Sequence, residues 1–205
     1  MSGQRLILLR HGRTGWNDDG RAQGHADVEL DAVGQEQAAA AAPYLSSLDP
    51  AALWSSDLRR ARQTCVPLEK ATGRSAKYDA RLREFDVGAR QGMTFAEFEQ
   101  SFPAEFASWV RGDDTARVPG AEVAADVEKR VVPALREALD SLRDGETGIL
   151  VDPADAHAVI ATVRLLLEDQ ELGRRLGLGG RKAVEAYFNW DRVTADVRRI
   201  GEELA

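Results

Sequence analysis

Leu6-Ile7-Leu8-Leu9-Arg10-His11-Gly12-Arg13-Thr14-Gly15-Trp16-Asn17 passes from an aliphatic run into a histidine with arginines on either side. A short run of this kind suits a strand covered on both faces, so a strand is predicted over 5–9. The residues that follow would sit at the carboxyl end of that strand, where open α/β sheets keep their chemistry. Gly12 and Gly15 allow the backbone to approach a ligand closely. An imidazole so placed can act as a nucleophile while guanidiniums hold an anion. A basic surface turn is the plainer reading of an isolated Arg-His-Gly, and two further segments argue against it.

The first is Ser55-Ser56-Asp57-Leu58-Arg59-Arg60-Ala61-Arg62-Gln63-Thr64, which follows Leu53-Trp54 and opens a helical stretch with Ser or Asp available as N-cap. A helix start is electropositive, and arginines in its first turn deepen that potential. The second is Leu82-Arg83-Glu84-Phe85-Asp86-Val87-Gly88 with Gln91-Gly92-Met93-Thr94, an acidic residue in a glycine-punctuated loop. Either alone reads as a solvated charge cluster or a helix cap. In this order, after the opening motif, they form a pattern.

That pattern resembles the histidine phosphatase superfamily, the fold of phosphoglycerate mutases and related phosphomonoesterases. The likeness runs from about Arg5 to Ile149 and takes in Gln23-Gly24-His25-Ala26-Asp27, Leu30, Gly34 and Gln37-Ala38. It implies that His11 becomes phosphorylated, that Arg10 and Arg60 grip the phosphoryl oxygens, and that Asn17 helps hold them. Glu84 matches the family's proton donor to the leaving oxygen, and Gln23 and Gly24 fall where the family lines its substrate mouth. Phosphoryl transfer needs positioning and charge neutralisation more than covalent machinery, so this set is chemically coherent. No cofactor is implied. No metal is expected either, since the three histidines are far apart and Cys65 is the single cysteine.

One piece of the family pattern is missing. A second histidine is expected after a late strand, in an arrangement like apolar-apolar-(Ser or Thr)-His-Gly, just beyond Gly145-Glu146-Thr147-Gly148-Ile149. The chain instead reads Leu150-Val151-Asp152-Pro153-Ala154-Asp155. Asp152 takes the hydroxyl position and Pro153 the histidine's; proline offers neither a side-chain donor nor an N–H. His157 lies four residues later, about 6 Å along a helical axis, and is read as a solvent-facing histidine in a helix's first turn.

From about Gly145 onward the chain also resembles the C-terminal end of family-4 GT-B glycosyltransferases. The carriers are Thr147 to Pro153, Leu165-Leu166-Leu167-Glu168-Asp169 and Phe188-Asn189-Trp190-Asp191-Arg192-Val193. The donor-binding portion of such an enzyme would lie upstream and is absent, so sugar transfer is not implied. The expectation is a hybrid, with a histidine phosphatase-like domain over 1–149 lacking its final segment and a helical tail over 150–205. Tyr187, Phe188 and Trp190 are read as buried anchorage rather than a stacking surface.

Elsewhere, helices are predicted over 34–48, 57–72, 94–102 (stopped by Pro103), 104–111 and 121–142, with strands near 52–55 and 75–78 and at Leu150-Val151. In the last long helix Val123, Val127, Val131, Leu135, Leu139 and Leu142 recur at helical spacing, with Pro133 placed to bend it. Alternating strands and helices predict an α/β fold, a three-layer α/β/α arrangement around a mostly parallel sheet with a helical C-terminal tail.

At 205 residues with 43% hydrophobic content the chain can bury a full core. A net charge of −7 argues against nucleic acid as partner. Its distribution is uneven: residues 1–90 hold 13 basic and 12 acidic side chains, and the rest hold 14 and 22. Positive charge is thus kept beside the proposed anion site, where local potential governs a small substrate. One cysteine, no leader-like N-terminal segment and aliphatic runs too short for a bilayer predict a cytoplasmic protein. The expected activity is hydrolysis of a small phosphorylated metabolite through a phosphohistidine, impaired by Pro153. The alternatives are an inactive hybrid scaffold and, behind it, a glycosyltransferase-related interaction protein.

Overall fold

The structure is a computed structural model and describes residues 7–111 and 117–142. The predicted strand at Leu150-Val151, the tail helices, Pro153, His157 and the aromatics Tyr187, Phe188 and Trp190 lie outside the described residues.

Packing alternation sets out the layers. Leu8, Ala52 and Trp54 pack into one apolar cluster, and Ile7, Leu9, Leu53, Ala76 and Tyr78 into another. Side chains on a strand point alternately to opposite faces, so these segments divide two cores. One core is closed by helix α6 (Ala124–Asp140), through Val127, Val131, Ala134, Leu135 and Ala138. The other is closed by α2 (Ala32–Ser47) and α3 (Arg59–Thr72), through Ala42, Leu45, Cys65 and Leu68. This is the expected α/β/α layering. Cys65 is completely buried, and burial pushes its thiol pKa up to about 11.

The ladder among the described residues is short. β1 (Trp54–Ser55) pairs in parallel with β2 (Lys77–Tyr78), with α3 as the crossover. A parallel pair requires such a crossover. The strand predicted over 5–9 forms no ladder among the described residues, although Ile7, Leu8 and Leu9 alternate between the cores as strand residues do.

The predicted helices are present with shifted ends. Small residues let α2 lie close to α3, since its buried stripe is Gly34, Ala38, Ala42 and Leu45. α3 begins two residues later than predicted, and neither Ser nor Asp at its start acts as N-cap. Leu58 takes that position without a side-chain cap, and the carboxylate of distant Asp27 accepts from Arg59 N at 2.7 Å. Pro103 does not merely stop α4 (Phe95–Ser101); it is the first residue of α5 (Pro103–Arg111), where its missing N–H costs nothing. α6 continues through Pro133 as one helix. A four-residue helix, α1 (Gly15–Asp18), and 3₁₀ turns at Ala80–Leu82 and Gly88–Arg90 complete the path. No helix among the described residues is long and apolar enough to cross a membrane.

Candidate active site

His11 leaves the end of the Ile7–Leu9 segment and is only 6% exposed. Its Nδ1 lies 2.6 Å from the carbonyl oxygen of Gly12. A carbonyl only accepts, so Nδ1 carries the proton of this contact, and Nε2 is the nitrogen left with a lone pair whenever the ring is neutral. The next peptide is fixed to α3, because Gly12 N donates to Thr64 Oγ1 at 3.0 Å and that hydroxyl donates to Arg60 O at 2.8 Å. The loop is pressed equally closely on α2. A Cβ on Gly12 would run into the backbone of Gly34, and one on Gly34 into the backbone of Arg13, so both sites require glycine.

α3 divides its buried residues between two tasks. Ala61, Cys65 and Leu68 enter the core, while Arg60 and Thr64 form the adjoining edge. Arg60 is fully buried. Its Nη1 donates to Ala26 O and its Nη2 to Gly24 O, each at 2.9 Å, and Nη2 stands 3.4 Å from Glu84 Oε2. Its Nε has no hydrogen-bond partner among the described residues. A buried guanidinium with an unused N–H is costly without a partner and suits an anion arriving from outside.

Asn17 is committed to a cap. Its Oδ1 accepts from Thr14 N at 3.0 Å, and its own N–H donates to Thr14 Oγ1 at 3.1 Å. With the oxygen so engaged, the Nδ2 donors are the open side of the amide. Gln23 is buried against Thr14, with Oε1 3.0 Å from the hydroxyl. Gly24 is also buried and at φ +51°; a side chain there would strike Val87. The contacts of both expected mouth residues therefore support Thr14 and Arg60. Arg10 is exposed and makes no hydrogen bond or ion pair with other described residues.

Glu84 rides on a strap held from three sides. Its carbonyl accepts from His25 Nε2 and from Arg130 Nη2, each at 2.8 Å. Arg130 Nη1 also donates to Arg81 O at 2.9 Å and Arg83 O at 2.6 Å, while Glu122 holds the guanidinium with two contacts of 2.7 Å. Burial pushes the Glu122 carboxyl up, but the bonds from Arg130 and from Asp86 N leave it lowered on balance. Arg83 makes paired 2.6 Å bonds to Asp57, which hold that carboxyl below its ordinary range.

His11, Arg60 and Glu84 were thus legible as site candidates in the sequence, and their supports Thr64, His25 and Arg130 were not. Thr64 and His25 both stood in stretches of distinctive composition; Arg130 offered only a charge on a helix. No group of three or more His, Cys, Asp or Glu side chains among the described residues is arranged to hold a metal.

Residues 6–184 match the histidine phosphatase superfamily (branch 1). The chain belongs to this superfamily. It is 41% identical over 141 residues to the glucosyl-3-phosphoglycerate phosphatase of Mycobacterium tuberculosis, covering 69% of this chain and 63% of that protein. It is 35% identical over 149 residues to a probable phosphoglycerate mutase of Salmonella paratyphi C, covering 71% and 67%. The chain therefore spans a little under two thirds of the length of the mycobacterial relative. Among solved structures, a mycobacterial glucosyl-3-phosphoglycerate phosphatase complexed with VO3 superposes with a TM-score of 0.71 at 38% identity, covering 80% of this chain and 82% of the other. Bacillus stearothermophilus YhfR gives 0.71 at 27% identity, covering 80% of each.

The superfamily match runs across Gly145–Ile149, where the sequence led us to expect a join, and on to residue 184. The glycosyltransferase likeness of the tail gains no support from these relatives.

Proposed function

We propose that this superfamily member hydrolyses a small phosphomonoester in two steps through a phosphohistidine at His11. In the first, His11 Nε2 attacks phosphorus in line, the N–P bond forms, and the ester P–O bond breaks. The departing oxygen takes a proton from Glu84. In the second, water attacks phosphorus with Glu84 receiving its proton, the N–P bond breaks, and inorganic phosphate leaves. Arg10, Arg60 and Asn17 neutralise the phosphoryl oxygens through both steps.

The observation that carries this reading is Arg60, sealed from solvent with Nε unsatisfied and Nη2 facing Glu84. It offers a cation for the phosphoryl group beside a carboxyl group for the leaving oxygen. Water rather than a second substrate is taken as the acceptor, because the chain lacks the long insert associated with glycolytic mutases and carries Arg83-Glu84-Phe85. The test is phosphate release from an aryl phosphate. Activity in the parent chain that is lost in His11→Ala supports the proposal. Release no greater than that of an Arg60→Ala control rejects it and favours the inactive scaffold to which Pro153 points.

A further inference from the structure

The short segment from Gly24 to Asp27 touches both halves of the chemistry above. The carbonyl oxygens of Gly24 and Ala26 each accept from Arg60 at 2.9 Å, and the carboxylate of Asp27 accepts from Arg59 N at 2.7 Å. These bonds fix the segment to the first turn of α3. Between the two carbonyls in the chain stands His25, whose Nε2 lies 2.8 Å from Glu84 O. A carbonyl only accepts, so Nε2 is the donor. One residue thus joins the loop that holds the cation to the backbone of the carboxyl-bearing residue.

The ring is held at its other nitrogen too. Nδ1 lies 3.3 Å from Oδ2 of Asp86, and the second oxygen of that carboxylate accepts from Gly88 N at 2.9 Å. An imidazole engaged at both nitrogens keeps one orientation. Asp86 and Glu84 belong to the same strap, so His25 grips that strap at two points two residues apart. Arg130 reaches the Glu84 carbonyl from α6 and fixes the strap to that helix; His25 fixes it to the residues that carry Arg60. The path from Arg60 Nη2 to Gly24 O, one peptide on to His25, and from its ring to Glu84 O closes a circuit around the 3.4 Å gap between Arg60 Nη2 and Glu84 Oε2. Without the imidazole, Arg130 would still retain the strap, but Glu84 would lose its reference to the cation.

We propose that His25 is a positioning residue, setting the Glu84 carboxyl group against Arg60 for proton transfer to the leaving oxygen. The inference rests on the hydrolase reading above and adds to it the part that fixes the acid relative to the cation. A catalytic group displaced by a fraction of its own length loses rate steeply, so a hold of this kind acts on kcat more than on KM.

The test compares phenyl phosphate with nitrophenyl phosphate, esters of one shape whose leaving oxygens differ in their need for a proton. His25→Asn keeps an amide near Asp86 but is too short to reach the Glu84 carbonyl. It is expected to lower kcat on phenyl phosphate by about tenfold or more, with KM little changed and a much smaller loss on nitrophenyl phosphate. His25→Gln, whose amide extends to the place of Nε2, should recover most of the rate. In a Glu84→Gln background, His25→Asn should cost nothing further on phenyl phosphate, because the two residues act as one unit. His25→Phe, which fills the same space and donates nothing, is used in the same comparison if the asparagine variant does not fold. Equal losses on the two esters, no loss on either, a loss that glutamine fails to recover, or the same loss in the Glu84→Gln background overturns the proposal while the hydrolase reading stands. A parent chain that releases no phosphate from phenyl phosphate ends proton transfer from Glu84, and the role of His25 with it.

Discussion

Nη2 of the buried Arg60 stands 3.4 Å from Oε2 of Glu84, joining the first turn of α3 to a loop 24 residues further along. Between them these residues put a positive charge and a carboxyl group at one place, and in the proposed chemistry these meet the two requirements of moving a phosphoryl group from an alkoxide. The proposed chemistry can be tested at each of its supports.

If Glu84 protonates the leaving oxygen, its importance depends on how badly that oxygen needs a proton. Glu84→Gln is expected to slow hydrolysis of an alkyl phosphate by about 10²–10⁴-fold. The loss on nitrophenyl phosphate, whose phenolate leaves unaided, should be much smaller. Steady-state rates on the two esters check this; equal losses would remove Glu84 from the proton-transfer role.

Arg130 donates to the carbonyl of Glu84, and in the proposed mechanism it is a positioning residue. Arg130→Met should lower kcat by about tenfold while KM moves little, since small displacements of a catalytic group are expensive in rate. Arg130→Lys should recover part of kcat. A loss confined to KM, with kcat intact, would contradict the role.

Asp57 links the site to acid stability. Arg83 holds its carboxyl below the ordinary value in the folded chain, so the unfolded chain takes up the proton first on acidification. The stabilisation is complete above the ordinary carboxylate range and is lost as pH falls through the lowered native value. Thermal melting of the parent should therefore weaken steeply below about pH 4. Asp57→Asn should be less stable at neutral pH and lose less over the same acid range. Parallel curves would count against the Asp57–Arg83 pair as a contributor.

Helices α2 to α6 were legible because their apolar spacing is a local property: Val127, Val131 and Leu135 are buried as their periodicity predicts. The catalytic candidates were legible because His11, Arg60 and Glu84 each sit in a short stretch of distinctive composition. What holds them was not. Asp27 caps α3 from 32 residues away, and Arg130 reaches Glu84 across 46; no local spacing encodes either pairing. Gly12 and Gly34 were quoted as motif residues, yet their mutual closeness is a tertiary fact.

Pro153 stands where the resemblance to the family led us to expect a second histidine. Restoring that pattern with Asp152→Ser and Pro153→His removes a negative charge and adds a donor for the phosphoryl group. The double variant is expected to raise kcat/KM for an aryl phosphate by about tenfold or more. An unchanged or lower rate would mean that the chain does not use this position as the family does.

Covalent attachment of phosphorus to His11 is the step on which the proposed chemistry turns. Mixing the chain with an aryl phosphate, quenching in alkali to preserve a nitrogen–phosphorus bond, and sequencing the peptides by mass spectrometry measures this directly. A phosphoryl group on the peptide containing His11, absent from His11→Ala, is the predicted result. Phosphate release that continues without an adduct at His11 would contradict it.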